Sequence, residues 1–231
     1  MQLLSLRNGF LALTLTAIAS GGGLITGCAS TASQNQSQAP NATTSNANDK
    51  QMINHGGGMN HSMGMDLGPA DADFDLRFID AMIPHHQGAV EMAKEAQQKS
   101  KRPEIKKLAD DIIKSQNQEI TQMKQWRQAW YPNAGDKPMA YDSQMGHMME
   151  MSSDQMQAMM MSQDLGAADA EFDLRFINAM IPHHEGAVTM AKDVLSKSKR
   201  PEIKQLAQEI INAQNTEIKQ MQQWRKTWYN K

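Results

Sequence analysis

The chain has 231 residues, 40% of them hydrophobic, with 25 acidic against 23 basic side chains. That is material for one or two modest domains, with no positive field to recruit nucleic acid. The outlying numbers are 20 methionines and 7 histidines beside a single cysteine.

Residues 1–27 run from Arg7 through an apolar segment, Phe10 to Ile18, into a glycine-rich stretch. The apolar run is too short to cross a bilayer and predicts a signal peptide. Ile25-Thr26-Gly27-Cys28 resembles a bacterial lipobox, which makes Cys28 the expected lipidation site. A generic export signal with an incidental Cys28 is the alternative. The expected location is periplasmic, with membrane contact only through the lipid.

Residues 28–69 predict a disordered tether. Its first part is rich in Ser, Thr, Gln, Asn and Ala, with too little apolar surface to offset ordering entropy. It ends in a Met/His tract: Met52, His55, Met59, His61, Met63 and Met65 among glycines. Those glycines argue against a buried helix. Flexible capture of a soft metal is the better account.

Two copies of one unit follow. Ala72 to Tyr131 aligns with Ala170 to Tyr229 at an offset of 98, with 42 identities in 60 positions and no gap. The copies define hairpin repeats over 70–131 and 169–231. In the first, helix formers fill 70–99 and 103–130, Ser100-Lys101-Arg102 is the break, and Pro103 suits a first helical turn. At 100° per residue, Asp75, Phe78, Ile79, Met82, His85, His86, Ala89 and Met92 form one stripe, with Arg77, Glu91 and Glu95 opposite. The second helix carries Ile105, Leu108, Ile112, Gln116, Glu119, Met123, Trp126 and Trp130. Folding the helices back sets Met82 to His86 level with Gln116 and Glu119. Two hairpins that each bury one stripe predict an all-α four-helix bundle.

Met82, His85 and His86 lie at i, i+3 and i+4, so one helix face can offer a thioether and imidazoles to one ion. Met180, His183 and His184 repeat this. Thioethers suit Cu(I), the preferred state here, and imidazole accepts Cu(II) as well. Met92 and Met123, with Met190 and Met221, are either further ligands or core filler. Gln116 and Glu119 either orient the imidazoles or hydrogen-bond to each other and to neighbouring backbone. Trp126 and Trp130 read as bundle core. Pro84 either distorts the helix, at about 3 kcal/mol, or marks a boundary between two helices.

Between the copies, 132–168 is a methionine-rich linker. Asp154 to Ser162 is a candidate amphipathic helix covering the bundle end. Met145, His147, Met148 and Met149 are a candidate copper clasp.

The stretch Phe78-Ile79-Asp80-Ala81-Met82-Ile83-Pro84-His85-His86-Gln87-Gly88-Ala89-Val90-Glu91-Met92, with Glu119, Ile120 and Met123 downstream, resembles domain-of-unknown-function family 305. The resemblance spans both repeats. It implies a ferritin-like helical bundle, copper binding and copper tolerance outside the cytoplasm. It points to Met82, His85, His86, Met92, Met123, Met180, His183, His184, Met190 and Met221 as the metal residues. The expected role is a binding protein, not an enzyme, that sequesters copper or passes it to an export or sensor protein. A ferritin-like di-iron enzyme is the alternative, but it wants Glu-x-x-His where this chain has Met-x-x-His-His. A structural envelope lipoprotein is another.

Overall fold

The structure is a computed structural model that describes residues 66–231. The expected signal peptide, the expected lipidation site Cys28 and the tract with Met52, His55, Met59, His61, Met63 and Met65 lie outside the described residues. No described helix is long and apolar enough to cross a membrane.

Four long helices make the body: α1 (Phe74–Lys99), α2 (Pro103–Trp130), α4 (Phe172–Lys197) and α5 (Pro201–Tyr229). Each hairpin turns at Ser-Lys-Arg-Pro for a local reason. Proline pushes the preceding residue out of helical backbone, and Arg102 is extended at φ −88°, ψ 124°. Ser100 is extended too and accepts a hydrogen bond from the Arg102 amide at 3.1 Å. Ser198 and Arg200 repeat it at 3.1 Å. Pro84 and Pro182 lie inside unbroken helices, so neither marks a boundary.

The hairpins pack through α1 against α4, and these two are the inner helices. In α1, 18 of 26 residues are buried, against 7 of 28 in α2, which keeps the one-sided pattern of an outer helix. The inner helices run antiparallel, so the start of one meets the end of the other. One apolar cluster joins Phe74, Phe78, Ile79, Met82 and Met123 to Met190, Val194, Ile203 and Ile210. The second joins Met92, Ala96, Ile105 and Ile112 to Phe172, Phe176, Met180 and Met221. The copies are thus related by a pseudo-twofold axis, with His85, His86, His183 and His184 between the two clusters in sequence along α1 and α4.

Each copy also clamps the other's end. Arg200 sits 4.2 Å over the Trp130 ring and 3.6 Å from Asp75, and Arg102 sits 4.2 Å over Trp228 and 3.4 Å from Asp173. Trp126 and Trp130 stack at 5.1 Å and are half-buried. Both pack against the first apolar cluster as the half-buried rim of the core that their spacing suggested, with Arg200 over Trp130.

Arg77 departs from the periodicity too. Expected on the outer face, it is 1% exposed, because a second layer covers that side of α1. Its guanidinium donates to the Leu67 carbonyl at 2.6 Å and the Pro69 carbonyl at 2.7 Å, and pairs with Asp71 at 2.8 Å.

The linker between the copies has its own structure. An antiparallel hairpin, β1 (Met139–Asp142) and β2 (His147–Glu150), pairs Met139 with Glu150, Ala140 with Met149, Tyr141 with Met148 and Asp142 with His147. Gly146, at φ 71°, takes the left-handed position that closes the turn. Buried Asp80 anchors the hairpin: its carboxylate accepts from Arg127 Nε at 2.5 Å and from the Met139 amide at 2.9 Å. Copy two has Asn178 at this position, exposed and 3.3 Å from Arg225. The carboxylate that receives the linker exists in one copy only.

The short helix α3 (Ser153–Met160) starts in a capping box between Ser152 and Gln155 and ends at Met161 in left-handed backbone. It does not cover the bundle end, as its composition suggested. It crosses the middle of α1, where Gly88 has no side chain to hold it off: a Cβ there would stand 1.8 Å from the Met160 carbonyl oxygen.

Candidate metal centre

The middle of the bundle is a polar layer. His85 and His86 come from α1, His183 and His184 from α4, Gln116 and Glu119 from α2, and Gln214 and Glu217 from α5. All four histidines and both glutamines are buried. The period of 3.6 residues explains their convergence: the polar interruptions of all four stripes fall at one height, where inner and outer helices face each other.

His86 Nε2 lies 2.6 Å from Glu119 Oε2, and His184 Nε2 lies 2.6 Å from Glu217 Oε2. A carboxylate only accepts, so each Nε2 donates its proton, and in the neutral ring that leaves the lone pair on Nδ1. This is the arrangement in which a carboxylate fixes the tautomer of a metal-binding imidazole and raises its basicity. Of the two sequence readings for Glu119, pairing with the histidine is the one observed. Gln116 Oε1 and Gln214 Oε1 are buried without a partner among the described residues.

His85 and His183 meet on the pseudo-twofold axis, with ring centroids 3.9 Å apart. His183 Nε2 donates to the Met160 carbonyl at 3.1 Å, so α3 closes one side of the layer. His85 has no partner for either ring nitrogen among the described residues. The position equivalent to Met160 in the first copy is Ser62, outside the described residues. Burial, and then the neighbouring imidazoles, hold His85 well below the usual histidine range. Burial and His184 likewise bring His183 down to about 3. Both are neutral at physiological pH, the state in which imidazole binds metal.

The layer therefore holds four neutral or carboxylate-held rings whose Nδ1 atoms are all buried and unpartnered. An unmet buried polar atom costs about 1–3 kcal/mol, so four together call for a reason. Thioethers flank the layer. Met82, Met123 and Met190 share one cluster, Met92, Met180 and Met221 the other, and all are fully buried. Met92 and Met190 thus group with the opposite copy. The soft donors of each end come from both repeats, although motif spacing placed them in one hairpin. Among the described residues, no three His, Cys, Asp or Glu side chains already converge on one point, so a metal here needs the thioethers or a turn of the rings.

The linker residues lie elsewhere. Met145 and His147 are exposed at the hairpin tip, Met149 is beside them, and Met148 points to the other face of the strand pair. The Met160 carbonyl was not legible as a site atom, because a backbone oxygen has no sequence signature; Gly88, a glycine inside a helix, was the available hint.

The family model described as "Domain of unknown function (DUF305)" matches residues 24–127 and 75–225. Among solved structures, the chain is similar to CopM in the Cu(II)-bound form (43% identity, 67% of this chain, 97% of that one, TM-score 0.54). The Cu(I)-bound form of CopM matches over the same shares with 41% identity and a TM-score of 0.51. A DUF305 fragment from Deinococcus radiodurans is 28% identical over 67% of this chain and 95% of that one, with a TM-score of 0.52. An uncharacterised protein, L153, of Acanthamoeba polyphaga mimivirus is 49% identical over 49 residues, 21% of this chain and 32% of that protein, so the match spans about a third of it.

Proposed function

We propose that this chain, which belongs to the DUF305 family, is a copper-binding protein that works outside the cytoplasm, buffering the metal or handing it on without catalysing a reaction. The observation that carries this reading is the buried layer of four imidazoles with unpartnered Nδ1 atoms, two of them backed by glutamates. Similarity to CopM, solved with Cu(I), Cu(II) and silver, supports copper over other metals that imidazole accepts.

The proposed ligands are His85, His86, His183 and His184, with thioethers from Met82, Met123 and Met190 on one side and from Met92, Met180 and Met221 on the other. Imidazole with thioether favours Cu(I), and the imidazoles alone accept Cu(II). Methionine suits an oxidising compartment, since a thioether binds without deprotonation and forms no disulfide. In this reading Cys28 carries the lipid that tethers the protein, the tract from His55 to Met65 gathers copper, and an export or sensor protein receives it.

Anaerobic Cu(I) titration against a colorimetric chelator tests the proposal. The parent chain should outcompete the chelator, and a His86→Gln, His184→Gln variant with unchanged helical circular dichroism should lose its tightest sites. Equal affinity in the two proteins would remove the layer as a copper site.

A further inference from the structure

The linker hairpin exposes soft donors that nothing in its folding requires. Met145 is 67% exposed and Met149 37%, the two exposed large hydrophobic residues among those described. His147, between them, is exposed too. The rest of the hairpin is firmly held. Asp80 and Arg127 bind its base through the Met139 amide and the Gly135 and Lys137 carbonyls at 2.8–3.0 Å, and Lys137 pairs with Glu150 at 2.6 Å. A turn position ordinarily takes polar residues, yet this one carries a thioether on a rigid mount.

The strand register decides which donors share a face. Side chains alternate along a strand, and directly paired residues point the same way. His147 and Met149 therefore lie on one face with Asp142 and Ala140. Ala140, at the base, touches the core, and the face opens to solvent toward the tip. Met148 goes to the other face, where with Met139, Leu76, Trp130 and Tyr131 it lines a groove of about 460 Å³. The turn brings Met145 back beside His147: Asp142 Oδ1 accepts the Gln144 and Met145 amides at 2.8 and 3.0 Å, and the Gly146 amide donates to the Asp142 carbonyl at 2.8 Å. His147 Nδ1 lies 3.3 Å from the Met145 carbonyl. A carbonyl accepts, so Nδ1 carries the proton, and in the neutral ring the Nε2 lone pair is left for a ligand.

We propose that Met145, His147 and Met149 form a separate surface site for a soft monovalent ion, Cu(I) or Ag(I), through two thioether sulfurs and His147 Nε2, and that Met148 is a packing residue outside it. The inference rests on the copper reading and adds to it a solvent-open site, distinct from the buried layer, where metal can be loaded or collected without opening the bundle. Two thioethers and an imidazole are a soft, uncharged donor set that selects Cu(I) over hard divalent cations.

Methyl-labelled methionine spectra during anaerobic Ag(I) titration, with Cu(I) counted by chelator competition, test this on the full chain. In the parent, the Met145 and Met149 methyl signals and the His147 ring signals should move together, with Met148 unmoved. Met145→Leu, Met149→Leu and His147→Asn combined should lose one equivalent of Cu(I) and keep the helical signal, while Met148→Leu keeps the full count. An unchanged count in the triple variant, or the same loss with Met148→Leu, overturns the assignment. Loss of binding only in the His86 and His184 variants would sink this site and leave the buried one. A parent chain that binds no Cu(I) would sink both.

Discussion

Gly88→Ala places a methyl group 1.8 Å from the Met160 carbonyl oxygen and 2.7 Å from its carbon. Both are backbone atoms, so no side-chain rotation relieves the overlap, and either α1 or α3 must move. α1 is locked, with Phe78, Ile79, Met82, Ala89 and Met92 essentially without exposure. α3 is eight residues long with one buried side chain, Met159, so α3 is the element that yields. Its release forfeits the burial of Met159, about 1.5–3 kcal/mol, and the hydrogen bond from His183, about 1 kcal/mol. The expected destabilisation is therefore about 2.5–4 kcal/mol, and detachment caps it at that value however severe the overlap. Urea denaturation gives the loss, and limited proteolysis should show new cleavage between 152 and 165. Met159→Ala alone should cost about 2 kcal/mol or more, yet add almost nothing in the Gly88→Ala background, since a detached α3 has no burial left to lose. Additive losses, or a protected α3 in the alanine variant, would refute the reasoning.

Three further outcomes are expected. In the metal-free protein, His85 is held well below the unfolded value of 6.5 and His183 is brought down to about 3, so as pH falls below 6.5 the unfolded chain binds protons that the folded chain refuses. Stability should fall by up to about 1.4 kcal/mol per pH unit for each group, and a urea midpoint flat from pH 7 to 4.5 would contradict their buried neutrality. Glu119→Gln should lower copper affinity about 10- to 100-fold by removing the carboxylate that holds His86, and competition titration with unchanged affinity would show that this carboxylate does not support copper binding. Asp80→Asn, which puts the residue of copy two into copy one, should cost about 1–3 kcal/mol and loosen the β-hairpin, seen as faster hydrogen exchange at the Met139 amide; undiminished protection there would disprove the anchor.

Local physics made much of this protein legible without coordinates. The Ser-Lys-Arg-Pro breaks stood out because proline restricts its own and the preceding residue. The four stripes stood out because helical period is a property of each segment alone, and the level of the histidines opposite Gln116 and Glu119 followed from folding one hairpin back. What crosses between copies was not legible. The antiparallel setting of α1 on α4 decided that His85 meets His183 and that Met92 groups with Met180 and Met221, because contact between distant segments depends on the packing of whole faces. The same setting left Trp130 to be covered by Arg200. Arg77 looked outward by period and is buried by a second layer that its own helix does not encode. The single Met148 among three candidate neighbours was separated by a strand register, and a register is a relation between two segments that neither specifies by itself.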